Sequence, residues 1–258
     1  TLGGVTGSIG GSAPDVWVID TGVKTTLADF GGRVSFYADI LNQGVTTDLD
    51  GHGTKVASLI TSSTFGDTLS NVYSVRVLAG SIGSTIDVIE GLYTVKNAVT
   101  HRRKIVSMSI GSGPNSALDV AVEKLLAAGI AVVVSAGNDG GNACNYSPAR
   151  VPGVISVGAH DIDGNIPIFS NTGSCVDIYA AGLDVKTLGL DGGVEITSGT
   201  SMSAPIVSGI LSLIAGQHPT MTVAEWTDML LDFSIACGGD SALACVRTPY
   251  RAPNELAG

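Results

Sequence analysis

The chain has 258 residues, 44% hydrophobic and 14% charged, and its 13 Lys and Arg against 23 Asp and Glu give a net charge of −10. That field repels nucleic acid and anionic membranes, so neither is expected as a partner. No apolar run reaches the roughly 18 residues a membrane-spanning helix needs, and a chain of this length can bury a large core as one domain, expected here over 1–258.

The first segment, "TLGGVTGSIGG", reads as a glycine-rich arm ending near residue 13. There is no initiator Met, and Thr1 reads as a processed terminus, so a mature form cut from a longer precursor is expected. "DVWVID" (15–20), "VYSVRVL" (72–78), "KIVSMSI" (104–110), "IAVVVSAG" (130–137) and "GVISVGA" (153–159) read as buried strands. Between them, Val88, Leu92, Val95 and Val99 form one helical stripe, and Leu118, Ala121, Val122 and Leu125 another, with Asp119 and Lys124 facing away. The basic "HRRK" at 101–104 falls where positive charge suits the end of the first helix. "TVAE" (222–225) is a capping box ahead of Trp226, Leu230 and Phe233. Strands alternating with helices predict an α/β fold, a mainly parallel sheet with helices on both faces, whose ligand sites lie beyond the carboxyl ends of the strands. Cys144, Cys175, Cys237 and Cys245 allow two disulfides in three connectivities. None has CxxC spacing, so an oxidising, extracellular setting fits better than zinc or dithiol chemistry.

Four polar residues stand at element ends. Asp20 closes the first strand, where it is either a turn cap or a fixed anion that orients a base. His52 sits between Gly51 and Gly53 at a helix start, unlike His101, His160 and His218, which read as ordinary surface or core histidines. Asn138 closes "VVVSAGN" and has an amide that can donate two hydrogen bonds. Ser201 lies in "TSGTSMSAPIVSGILSLIAG" (197–216), at the mouth of an apolar helix. It is either an N-cap or a nucleophile. A serine hydroxyl attacks only when a base removes its proton, histidine suits that near neutral pH, and a carboxylate holds its tautomer. Attack on an amide creates an oxyanion, for which the Ser201 N–H and the Asn138 side chain are candidate donors.

"VIDTGV", "DGHGT", "SAGND" and "SGTSMSAP", in this order, resemble the subtilisin-like serine proteases, the family with Asp, His and Ser in that chain order. "NACNYSPARVPGVISVGA" (142–159) and "FSNTGSCVDIYAAG" (169–182) resemble the proteinase K branch, especially aqualysin-type enzymes. The resemblance covers about residues 14–216. It implies a secreted, monomeric endopeptidase, made with a propeptide that aids folding and inhibits, in which Asp20 orients, His52 is the base, Ser201 attacks and Asn138 stabilises the oxyanion. Protein and peptide substrates would pair along Ser81, Ile82 and Gly83 and along Ser109, Ile110 and Gly111, with Ser135, Ala136, Gly137 and Thr200 near the first specificity pocket. These segments hold no carboxylate, so apolar or aromatic residues are expected before the cut. The resemblance also implies a structural calcium ion on the Pro152 and Val154 carbonyls and Asp177, and a Cys144–Cys175 bridge; Cys237–Cys245 is expected as the second bridge. The chain departs from the family at Lys55, where a second histidine is usual, and at Ala204, Ile206 and Ser208, where Thr, His and Ala are. Asp48, Asp50 and His52 are a possible metal set without a further cluster to complete it. There is no phosphate loop, HExxH or GxSxG. A narrow processing protease and a catalytically silent peptide-binding member of the fold are the competing readings.

Overall fold

The computed structural model describes residues 13–66, 70–80, 83–238 and 240–246. Residues 1–12 of the glycine-rich arm, and Ser81 and Ile82 of the expected substrate edge, lie outside them. In chain order the elements are β1 (Asp15–Asp20), β2 (Val34–Asp39), α1 (His52–Thr61), β3 (Val72–Arg76), α2 (Thr85–Asn97), β4 (Lys104–Met108), α3 (Ser116–Ala127) and β5 (Ala131–Ser135). Then follow β6 (Ile155–His160), β7 (Ile178–Ala181), β8 (Val185–Leu188), β9 (Val194–Thr197), α4 (Thr200–Gln217), α5 (Val223–Asp232), β10 (Ile235–Cys237) and β11 (Asp240–Cys245).

Nine strands form one sheet in the order β10-β11-β7-β6-β5-β4-β1-β3-β2, parallel except for the β10–β11 hairpin at one edge. β8 and β9 form a separate antiparallel pair. The period of two along a strand sends Val16 and Val18 to one face and Trp17 and Ile19 to the other. The first pair packs with Val56 and Ile60 of α1, Val207 and Leu211 of α4, and Trp226 of α5. The second packs with Val88, Leu92 and Val95 of α2 and Leu118 and Leu125 of α3. Apolar side chains on both faces explain why the central strands read as unbroken apolar runs. Each large side chain buried this way contributes about 1.5–3 kcal/mol.

The expected stripe ending at Val99 is corrected. Val99 is 97% exposed, because α2 stops at Asn97. There the Lys104 ammonium donates to the carbonyls of Val95 at 2.7 Å and Ala98 at 2.6 Å, closing the helix end with a positive charge. Phe233 caps α5 and is 54% exposed, whereas Trp226 and Leu230 are buried. The capping box at 222–225 forms: the Glu225 N–H donates to Thr222 Oγ1, and Glu225 Oε2 accepts from the Thr222 N–H. Asp119 does not simply face solvent, since it takes the Arg150 guanidinium at 2.5–2.8 Å. Both disulfides are present, Cys144–Cys175 and Cys237–Cys245, with Cα atoms 5.2 and 5.1 Å apart.

The arrangement of α1 and α4 decides where the chemistry sits. Gly209 of α4 lies against Ile60 of α1, where an added Cβ would meet the Ile60 carbonyl oxygen at 3.6 Å. Ser208 bonds to Ser107 in β4, while Ser201 bonds to Ser109 just past it, so α4 runs antiparallel to that strand. α1 likewise starts against the last residue of β1. The two helices therefore run side by side in the same direction, and His52 and Ser201 come to the carboxyl edge of the sheet together.

Candidate active site

Asp20 is fully buried at the end of β1, and its Oδ1 lies 2.7 Å from His52 Nδ1. The same oxygen accepts the Thr21 N–H at 2.7 Å, which fixes the carboxylate. The close approach of α1 requires glycine: a Cβ at Gly53 would stand 2.0 Å from the Gly22 carbonyl oxygen and 3.2 Å from Asp20 Oδ1. The preceding turn also needs φ +107° at Gly51, a left-handed conformation that glycine adopts without strain. The Asp20 carboxylate holds the His52 imidazole above its ordinary pKa, against the opposing effect of burial. His52 remains about one-third exposed, so its ring is open to a ligand.

Asp48 has a structural task. Its Oδ1 accepts from Thr21 Oγ1, the Asp50 N–H and the Gly51 N–H at 2.9–3.0 Å. Its Oδ2 accepts from the Thr54 N–H and hydroxyl at 2.9 and 2.7 Å. With both oxygens taken and the residue buried, Asp48 ties the entry of α1 to the turn after β1 rather than holding a metal. Lys55, where the family usually has histidine, pairs with Glu195 of β9 at 2.8 Å and links α1 to the small hairpin.

On the other side of the cleft, Gly199 precedes α4 with φ +145° and ψ +157°, a backbone region reached essentially by glycine alone. The Thr200 N–H and hydroxyl both donate to Asn138 Oδ1 at 2.9 Å. Because the Thr200 N–H can only donate, the atom facing it must be the amide oxygen, which leaves Asn138 Nδ2 as a donor pointing elsewhere. Among the described residues neither Asn138 Nδ2 nor the Ser201 N–H has a partner. A Cβ at Gly199 would lie 3.4 Å from Asn138 Nδ2 and 3.8 Å from Ser201 N, so both donors border one small space. The Ser201 hydroxyl is 3.5 Å from the Ser109 carbonyl oxygen, and no hydrogen bond joins it to His52. Asp20 ends β1, and Ser109 and Asn138 follow the ends of β4 and β5; the three strands are neighbours in the sheet.

The expected substrate-binding residues separate into two kinds. Ile110 and Gly111 make no backbone hydrogen bond to another described residue, so their N–H and C=O groups are available to an extended chain. Ser135, Ala136 and Gly137 are instead fixed: the Ala136 N–H bonds to Val157, and the Gly137 N–H to Thr200 Oγ1 at 3.2 Å. Gly83 is exposed beside the undescribed Ser81 and Ile82. Sequence reading missed Asn171. It is fully buried, its amide donates to the Ala136 carbonyl at 2.8 Å, and its Oδ1 accepts from the N–H groups of Asp139 and Gly141. It thereby holds the loop that carries Asn138; its neighbours "SNTG" are the only hint, since polar turn letters are rarely core.

At the expected calcium position, Asp177 is joined twice to Ser156: its Oδ2 accepts the Ser156 N–H at 2.8 Å and its N–H donates to the Ser156 carbonyl at 3.0 Å. This sets the carboxylate two residues past Val154. Partial desolvation holds the Asp177 carboxyl above its ordinary value against the bond from Ser156, although the residue as a whole is exposed. Oδ1 has no partner among the described residues. Carboxylate and carbonyl oxygens are the ligands a hard cation takes.

A subtilase family profile matches residues 11–243. The chain is 39% identical over 218 residues to alkaline serine exoprotease A of Vibrio alginolyticus, spanning 83% of this chain and 41% of the relative. It is 38% identical over 213 residues to subtilisin-like protease 2 of Pseudogymnoascus destructans (81% and 53% covered). It is 35% identical over 266 residues to subtilisin-like serine protease Pen ch 18 of Penicillium rubens (96% and 53%). The chain thus spans about half the length of these relatives. A crystal structure of a cold-adapted subtilisin-like serine proteinase superposes with TM-score 0.85 at 36% identity, covering 91% of this chain and 88% of that one. On the family profile, the sequence relatives and the shared fold, the chain belongs to the subtilase family.

Proposed function

We propose that the chain is a serine endopeptidase acting through an acyl-enzyme, with Ser201 as nucleophile, His52 as base, Asp20 as its orienting partner and Asn138 as oxyanion donor. The observation that carries this reading is the pair of unpartnered donors, Ser201 N–H and Asn138 Nδ2, bordering one space beside the candidate nucleophile. His52 with its Nδ1 bound to Asp20 presents Nε2 as an acceptor. Ser201 Oγ attacks the substrate carbonyl carbon while its proton passes to Nε2. The tetrahedral oxyanion takes the two donors, the C–N bond breaks, and the protonated His52 returns its proton to the departing amine. Water, deprotonated by the same imidazole, then hydrolyses the ester. The long Ser201 contact to Ser109 fits an unliganded site, where nucleophile–base bonds often close only around substrate.

The unpaired backbone of Ile110 and Gly111 supports binding of substrate as an added strand, a mode that tolerates many side chains and favours broad cleavage. We place apolar or aromatic residues before the cut, because no carboxylate occurs in 109–111 or 135–137. The two disulfides support an extracellular enzyme. The carbonyls of Pro152 and Val154 with Asp177 would hold calcium, which would tie two loops together and take no part in the chemistry. The test is covalent labelling by an organophosphorus serine-hydrolase reagent. Ser201 is expected to carry the label, and Ser201→Ala to lose both label and cleavage; proteolysis persisting in the alanine variant overturns the assignment.

A further inference from the structure

One carboxylate at the cleft has no part in the chemistry proposed above. Asp50 stands two residues before His52 and is exposed. Its N–H donates to Asp48 Oδ1 at 3.0 Å, and its own Oδ1 accepts the His52 N–H at 3.1 Å, which pins the side chain at the start of α1. Closing a helix start in this way uses one oxygen. The other, Oδ2, lies beside Gly80, where an added Cβ would stand 3.6 Å away. No described lysine or arginine forms an ion pair with Asp50. Behind Asp20, Asp50 is among the charges that hold the His52 pKa up, so its negative charge is felt at the base.

The strand order says which part of a substrate would meet that charge. Along the carboxyl edge of the sheet, β5, β4, β1 and β3 follow one another. The pocket residues Ala136 and Gly137 follow β5, and Ile110 and Gly111 follow β4. Asp20, with His52 bound to it, ends β1, and Gly80 follows β3. A substrate strand paired with Ile110 and Gly111 sends successive side chains to opposite sides. With the residue before the cut in the pocket on the β5 side, the preceding residue points to the β1 and β3 side, toward His52, Asp50 and Gly80. Gly80 has no side chain to cover the free oxygen of Asp50. What the substrate finds there is a fixed negative charge open to solvent.

We propose that Asp50 selects a positively charged residue, arginine or lysine, as the second residue before the cut, with Oδ2 accepting an N–H of that side chain. The inference rests on the endopeptidase reading and adds a preference at a position that reading leaves open. The apolar preference at the residue next to the cut is unaffected, because a different part of the cleft receives it.

The test uses two acetylated peptide anilides that share phenylalanine before the cut and differ only in the residue preceding it, arginine in one and citrulline in the other. Citrulline keeps the length and shape of arginine without its charge. The parent chain should show kcat/KM about fivefold higher for the arginine peptide, the size expected of an ion pair at a solvent-open site. Asp50→Asn keeps an oxygen for the His52 N–H and should abolish the difference, whereas Asp50→Glu should keep most of it. The ratio is taken within each variant, so a general loss of rate or stability cancels. Glu123→Gln, the same charge change on the exposed face of α3, should leave the ratio as it is. Rising salt should shrink the ratio in the parent, a check that needs no variant to fold. Equal rates for the two peptides in the parent overturn the proposal and leave the endopeptidase reading standing. So does a preference that survives Asp50→Asn, resists salt, or is lost equally in Glu123→Gln. An arginine preference found only after the cut, in internally quenched peptides that extend beyond it, overturns it as well. Cleavage of neither peptide overturns both readings.

Discussion

Thr200→Val removes one hydroxyl and nearly preserves shape, so its effect isolates how the oxyanion donor is aimed. The hydroxyl accepts the Gly137 N–H at 3.2 Å and donates to Asn138 Oδ1 at 2.9 Å, in a residue with no exposed surface. The Thr200 backbone N–H continues to donate to Oδ1 at 2.9 Å, so the amide is loosened rather than released. Losing one neutral hydrogen bond of about 1 kcal/mol from the amide's orientation raises the misaimed fraction and lowers kcat about fivefold to tenfold. Stranding the Gly137 N–H costs stability a further 1–3 kcal/mol or so. KM should hardly move, because the oxyanion forms only after binding. Asn138→Ala should cost more, about 10²–10³ in kcat, the loss measured for the corresponding asparagine of subtilisin itself. Thr200→Ser should restore both rate and stability. Steady-state kinetics with a peptide anilide, together with thermal melts, separate the two effects. If Thr200→Val melts earlier but keeps kcat within about twofold, Thr200 is only a packing residue and the aiming argument is wrong.

Three further outcomes follow from the site. Because Asp20 raises the His52 pKa and the base must be neutral, kcat/KM should fall as pH drops through an apparent pKa above the ordinary value near 6.5; an acid limb well below 6.5 would contradict the charge pairing. Calcium chelation should lower Tm, since an ion at a hundredfold excess over its Kd stabilises by about 2.7 kcal/mol. Asp177→Asn should reproduce that loss and make chelator nearly silent, and an unchanged Tm in a sample verified as metal-free removes the site. Cleavage-site profiling on denatured protein should show apolar or aromatic residues before the cut, and a profile dominated by Lys or Arg would refute the pocket reading.

The parts of this protein that were legible in sequence are those whose signal is local. A buried parallel strand must be apolar on both faces, so β1, β4 and β5 announced themselves, and Asp20 stood out as the charge that ends one. Gly51 and Gly53 marked His52 because a helix that starts against the Gly22 carbonyl has no room for a Cβ. Local signals also misled where a tertiary contact ended an element. The stripe of α2 ran on to Val99 in sequence, but Lys104 takes the carbonyls that another turn would have used. β2 escaped notice because an edge strand with Ser35, Phe36 and Tyr37 exposed has no clean apolar pattern.

What was not legible is what holds the reactive groups still. Asp48 and Asn171 act across the fold: one carboxylate satisfies the turn after β1 and the start of α1, and one amide satisfies the loop carrying Asn138. Neither makes a periodic pattern: Asp48 reads in sequence as one of a possible metal set, and Asn171 as an ordinary turn residue. Yet a buried side chain that satisfies several backbone groups at once cannot be shortened without stranding all of them. Sequence motifs thus locate the groups that would react, while the accuracy of their placement depends on polar residues recognisable only once the strands β1, β4, β5 and β6 have been set side by side.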